Sequence, residues 1–262
     1  MKKVMSRKIS ISFLLASVCL MAGWWLIERS QFQLSNVEPV AIVHPVSITE
    51  TVPREELPPK PEEGTLLPPK VLIADVPFTV QAPDGQWSDP LFQDACEEAS
   101  LLMADAWIRD IVLTKKESTE RISSLAQYQK KLRGHSVDTS IDDTARLLKD
   151  FFEVTTGVVE RGITVRDIKE VLANQQIVIV PTDGRKLKNP NFKQPGPSRH
   201  MLVLVGYDDA TKEFMTNDPG TRKGEGYRYD QAVLFDAILD YATGRHEEVT
   251  STDKVMLWVA RP

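Results

Sequence analysis

HMLVLVGYDDATKEFMTND, residues 200–218, holds two apolar runs on either side of a polar step. The step opens with Asp208-Asp209, so the runs 200–208 and 213–218 read as the two strands of a β-hairpin. Just upstream, QIVIVPT (176–182) is a strongly apolar strand, and GRKLKNPNFKQPGPSR (184–199) is a long polar loop joining it to the hairpin. Downstream, Tyr229–Tyr241 reads as a helix and VMLWVA (255–260) as another strand. Earlier in the chain the period changes. Between Asp94 and Leu113, Cys96, Ala99, Met103, Ala106 and Trp107 recur at three and four, which predicts a helix with one apolar stripe. Glu117–Arg133 and Asp142–Phe152 read as two further helices. Thr164 with Asp167 makes a capping-box-like start to a helix running to Asn174. VLIADVPFTVQ (71–81) reads as extended, and APDGQWSDP (82–90) as a loop. Helices come first and strands mostly after. That order is α+β, a helical layer packed on an antiparallel sheet.

The chain falls into three zones. Residues 1–30 open with MKKVMSRK, followed by an uncharged apolar run from Ile9 to Ile27, near the ~20 residues a helix needs to cross a bilayer. Basic residues precede the run and Glu28 follows it, so the positive-inside tendency sends the remainder out of the cytoplasm. A transmembrane signal anchor is the expectation. Cleavage of the same segment would instead give a secreted protein, and Cys19 lacks the small residue before it that lipidation requires. Residues 31–70 are rich in proline, with Glu and Lys between, and read as an extended, semi-stiff linker. Residues 71–262 form the folded domain.

Composition limits the function. The 262 residues are 42% hydrophobic and carry a formal net charge of -5. Without the four cations of the first eight residues, 28 Lys and Arg face 37 Asp and Glu, leaving -9 for residues 9–262. Nucleic acid is an unsuitable partner for so acidic a body. Two cysteines make no disulfide scaffold, there is no H-E-x-x-H, and no glycine-rich phosphate loop occurs. Neither a metal nor a cofactor is expected.

Three residues carry candidate chemistry. Cys96 is the one cysteine of residues 31–262 and opens a predicted helix, where the macrodipole favours a thiolate and first-turn N–H groups face an oxyanion. The bland alternative is a buried structural cysteine. His200 opens a strand after a long loop, so its ring can project from the sheet edge or simply touch solvent. The hairpin brings Asp218 near it, where a carboxylate can accept from Nδ1–H and fix the tautomer, although Asn217-Asp218-Pro219-Gly220 also reads as an ordinary turn.

The blocks VPFTVQAP, WSDPLFQDACEEASLLMA, HMLVLVGYD and NDPGTRKGEGYRY resemble the papain-superfamily cysteine peptidases related to bacteriocin-processing, double-glycine leader peptidases. The resemblance spans roughly residues 75–262 and implies a papain-like fold. It makes Cys96 the nucleophile, His200 the general base and acid, and Asp218 the orienter of a Cys-His-Asp triad. It also implies an oxyanion-hole glutamine, assigned to Gln81 with Gln93 as runner-up. Many relatives follow the cysteine with Gly-Pro, whereas here Glu97 and Glu98 follow it. Either the thiol is less activated, or the glutamates face a basic substrate group.

The expectation is an extracytoplasmic, membrane-anchored thiol hydrolase, a cysteine peptidase acting on peptide or protein and cleaving amide bonds by acyl transfer. The alternative is a non-catalytic papain-like domain that binds peptide or cell-wall material. Specificity is expected to lie in the loops 82–92 and 184–199.

Overall fold

The computed structural model describes residues 66–244 and 249–262, all within the second of two units, Glu56–Pro262. The expected anchor, nearly all of the linker, Cys19, His44 and His246 lie outside the described residues. Among the described residues no helix is long and apolar enough to cross a membrane.

The described elements are β1 (Lys70–Leu72), α1 (Pro90–Gln93), α2 (Cys96–Ile108), α3 (Lys115–Arg133), α4 (Ile141–Phe152), β2 (Gly157–Arg161), α5 (Val165–Ala173), β3 (Ile177–Thr182), β4 (His200–Asp208), β5 (Glu213–Asn217), β6 (Tyr227–Asp230), α6 (Gln231–Ala237) and β7 (Val255–Val259). All strand pairs are antiparallel, in the order β2-β7-β3-β4-β5-β6, with β1 added on β4 beyond the reach of β3. The α+β architecture is therefore as expected. Strands β3, β4 and β7 are buried at every position rather than alternately. Continuous burial means both faces of the central sheet are covered.

Three readings need correction. The extended segment 71–81 pairs through β1; after Ile73 N–H donates to the Val205 carbonyl (2.8 Å), a turn at Ala74-Asp75, with Asp75 at φ +57°, takes the chain off the ladder. The helix predicted from Asp94 to Leu113 is shorter at both ends, α2 (Cys96–Ile108), and a separate turn of helix, α1, precedes it. Asp89 caps α1, with Pro90 at its first position, and the chain breaks at Asp94-Ala95 before restarting at Cys96. Nor does α2 present one stripe: every residue from Cys96 to Trp107 is buried, because α2 packs on β4, α3 and α4. Its buried carboxyl groups have partners: Asp105 accepts from Arg121 and from Arg109 Nε (2.7 Å), and Glu98 Oε1 from Gln129 Nε2 (2.7 Å).

The third correction concerns 229–241. Tyr227, Arg228 and Tyr229 form β6 against β5, and Asp230 then caps α6 by accepting from the N–H groups of Ala232 and Val233. The strand read at 255–260 is present as β7 and lies between β2 and β3; β2 is too short for its pattern to stand out in the sequence.

Candidate active site

The site is built where the start of β4 meets the start of α2. Pairing between β4 and β5 slips between Leu204 and Gly206, which sets Asn217 opposite Val203 and leaves Asp218 just past the ladder. From there Asp218 Oδ1 lies 2.7 Å from His200 Nε2. The sequence reading expected Nδ1. The carboxylate instead takes Nε2, so Nδ1 is the nitrogen left for proton exchange. Phe192 fixes the ring from one side, edge to face at 5.2 Å between centroids. Gly220 fixes it from another: a Cβ there would lie 2.8 Å from His200 Cε1, so only glycine leaves room for this imidazole.

Asp218 is fully buried and well supplied with donors. The Gly220 N–H donates to Oδ1 (2.9 Å) and the Tyr229 hydroxyl to Oδ2 (2.5 Å); Asn189 Nδ2 in turn donates to the Tyr229 oxygen (2.6 Å). Burial alone would raise this carboxyl. The charge and hydrogen bond of His200, the Tyr229 hydroxyl and the Gly220 N–H outweigh burial and hold it below the ordinary carboxylate range. The same burial, next to the Asp218 charge, pushes the Tyr229 hydroxyl far up, so it stays a donor.

Cys96 is the first residue of α2, is buried, and is not in a disulfide. No side chain caps this helix end, so its first-turn N–H groups are not taken by a cap. The sequence reading placed a thiolate here. The structure opposes that in the resting protein: burial, and then the Glu97 carboxylate beside it, push the thiol well above its usual value. The thiol donates to Glu97 Oε2 at 3.0 Å. One contact works in the other direction: the backbone N–H of Met201, the residue after His200, favours the thiolate. Glu97 is held from behind by the Tyr241 hydroxyl (2.8 Å) and the Thr139 N–H (3.3 Å), both on Oε1.

Gln81 and Gln93 both line the cleft that contains Cys96 and His200. The backbone N–H of Gln81 donates to the Pro219 carbonyl at 3.0 Å, tying this segment to the Asp218 loop. Its side-chain Nε2 donates to the carbonyls of Phe92 (3.0 Å) and Gln93 (2.6 Å). Both amide hydrogens are thus engaged in the unliganded protein.

The cleft has a volume of about 810 Å³. Loops 82–92 and 184–199 both contribute to its walls, through Trp87 and through residues 191–197. A third segment, 220–223, was not foreseen. Sequence reasoning also missed Tyr229 and Asn189: Tyr229 was assigned to a helix and Asn189 to an undifferentiated loop. The alternation of Tyr227 and Tyr229 was the available signal. Among the described residues no group of three or more His, Cys, Asp or Glu is placed to hold a metal.

The Peptidase C39-like family model matches residues 73–243. The chain belongs to the Peptidase C39-like family. By family it is a papain-like cysteine peptidase, and a peptide or protein is its class of substrate. No curated protein matches the chain. Among solved structures it is similar to a protein described as a C39-like peptidase from Bacillus anthracis, at 17% identity and a TM-score of 0.45, covering 73% of this chain and 98% of that one. It is also similar to xylellain, a cysteine protease from Xylella fastidiosa, at 14% identity and a TM-score of 0.45, covering 75% and 87%.

Proposed function

We propose that this C39-like chain hydrolyses peptide bonds with Cys96 as nucleophile, His200 as proton carrier and Asp218 as its orienter. One observation carries the reading. Asp218 holds His200 through Nε2 at 2.7 Å, and His200 and Cys96 line the same cleft. In this mechanism a substrate carbonyl enters the cleft and the Cys96 proton passes to His200 Nδ1. The sulfur attacks the carbonyl carbon and the oxyanion is received by the Cys96 N–H, together with Gln81 once it gives up one carbonyl, or Gln93 in its stead. His200 protonates the leaving amine, and the thioester remains on Cys96. Water, deprotonated by His200, then releases the acid and restores the thiol. Asp218 stays ionised throughout and stabilises the imidazolium.

A second reading, peptide binding without turnover, is favoured by one feature of the resting site: the thiol donates to Glu97 and both Gln81 hydrogens are engaged. An electrophilic peptide probe separates the two. Hydrolysis should label Cys96 covalently, and Cys96→Ala should lose labelling and peptide turnover while keeping its melting transition. Turnover retained in Cys96→Ala would overturn the triad. Absence of covalent label in a wild-type protein that binds peptide would establish the second reading.

The apolar run Ile9–Ile27, with basic residues before it and Glu28 after it, supports a signal anchor, and the proline-rich stretch to residue 70 a spacer. In this reading the peptidase domain, 71–262, works outside the cytoplasm, tethered to the membrane.

A further inference from the structure

Arg222 stands apart from the other arginines. Every other described arginine has a carboxylate within salt-bridge distance. Arg222 has none, although it is exposed on an acidic protein. Nor is it loose. Its guanidinium lies over the Trp87 ring, 5.8 Å from the centroid. Loop 82–89 grips it from another direction: Gly85 has φ of +83°, and a Cβ there would lie 3.0 Å from Nη2. The cation is thus held by an aromatic face and a close backbone, neither of which neutralises it.

Its position is functional. Trp87, Arg222 and Lys223 line the cleft that holds Cys96, and Lys193 lines it from the 184–199 loop. Lys193 and Lys223 are likewise exposed and have no carboxylate partner among the described residues. Asp94 is the one carboxylate in the lining. A guanidinium stacked on an indole keeps its N–H edge available for two parallel hydrogen bonds to a carboxylate. Three unneutralised cations around one mouth of a protein with net charge -5 also create a local field opposite in sign to the rest of the surface.

We infer that Arg222 is a substrate-recognition residue that receives a carboxylate of the bound peptide, with Lys193 and Lys223 supplying the surrounding positive field. The preferred substrate is an acidic peptide segment or a chain with a free C-terminus lying near the scissile bond. The inference deepens the peptidase reading above and rests on it for the location of the scissile bond.

The test uses the full chain and four pools of short internally quenched peptides, randomised except at one position. Three are amidated at the C-terminus and carry Glu, Gln or Lys there; the fourth carries Gln with a free C-terminus. The expected kcat/KM ratio of the Glu pool to the Gln pool is about tenfold for the wild type, as for one charge-assisted pair. Arg222→Gln should reduce that ratio to near one, and Arg222→Glu should reverse it in favour of the Lys pool. Preference for the fourth pool over the amidated Gln pool would assign the carboxylate to the chain end, and preference for the Glu pool to a side chain. Wild-type preference for neither carboxylate, Glu over Gln or free over amidated C-terminus, or a preference unmoved by Arg222→Gln, overturns the inference, even where all rates fall together, since that is a structural effect. Binding of the same pools to Cys96→Ala, followed by anisotropy, keeps the two readings separable. If no pool is cut but the Arg222-dependent preference survives in binding, the peptidase reading fails and this one stands.

Discussion

Glu97 is covalently adjacent to Cys96, the proposed nucleophile, and is also its hydrogen-bond acceptor. Burial is the largest cause that raises both groups, with Asp138 adding to it for Glu97 and Glu97 itself adding to it for Cys96. The resting thiol is therefore held protonated by burial and by the carboxylate of the next residue, and the Tyr241 hydroxyl and Thr139 N–H keep that carboxylate aimed at it. Glu97→Gln removes the charge, keeps an oxygen for Tyr241 and Thr139, and turns an N–H donor towards the sulfur. The pH midpoint for alkylation of Cys96 by iodoacetamide should fall by about one unit, with labelling at neutral pH about tenfold faster. A midpoint that stays or rises would show that Glu97 does not restrain the thiol. Cys96, His200 and Asp218 stood out as candidates at this scale because Cys96 and His200 open elements and Asp218 directly follows one. The nitrogen that Asp218 takes was not. It follows from Phe192 and Gly220 packing on the ring, contacts between residues far apart in the chain.

At the scale of elements, α2 carries the most unusual burden: a helix buried throughout that keeps three carboxylates. Glu98 shows the consequence. Burial first, and the Glu97 charge second, raise its carboxyl well above the ordinary value, with only the Gln129 amide and backbone groups opposing. The folded protein thus retains a proton that the unfolded chain releases, so stability falls as pH rises above the unfolded glutamate pKa of about 4.3. Asp218 has the opposite sign. Its lowered carboxyl contributes stability above the unfolded pKa, and that is lost as pH falls through the folded value. Glu98→Gln keeps an acceptor for Gln129 while removing the titration. Its melting temperature relative to wild type should therefore rise from pH 5 to pH 8 in thermal unfolding followed by circular dichroism. A difference that is flat or shrinking over that interval would refute a raised Glu98. The capping boxes at Thr114 and Thr164 show what local sequence conveys well, since both helix starts depend on side chains three residues apart. The stripe expected on α2 failed because surrounding elements, not helical period, determine how much of a helix is covered.

Over the whole molecule, the apolar N-terminal run and the proline-rich stretch give the proposed arrangement its direct test. The full chain, expressed in a bacterium, should sediment with membranes and resist alkaline carbonate extraction, and a chain lacking residues 1–30 should be recovered in the soluble fraction. Release of the full chain by carbonate, or recovery of a shortened chain in the medium, would replace the anchor with a peripheral or secreted form. The class of the domain, its helices-then-strands order, the hairpin, and the candidate nucleophile, base and orienter all lay in local pattern, because period, turn chemistry and capping act over a few residues. Three things came from packing alone. The last strand sits inside the sheet between β2 and β3. The Cys96 proton is held by a neighbouring glutamate that Tyr241 and Thr139 orient from distant elements. Arg222, which has no carboxylate partner among the described residues, is clasped by Trp87 and Gly85 at the mouth of the cleft. Each depends on which surfaces meet after collapse, and the free energy of burying and pairing charge is not encoded in any short stretch of chain.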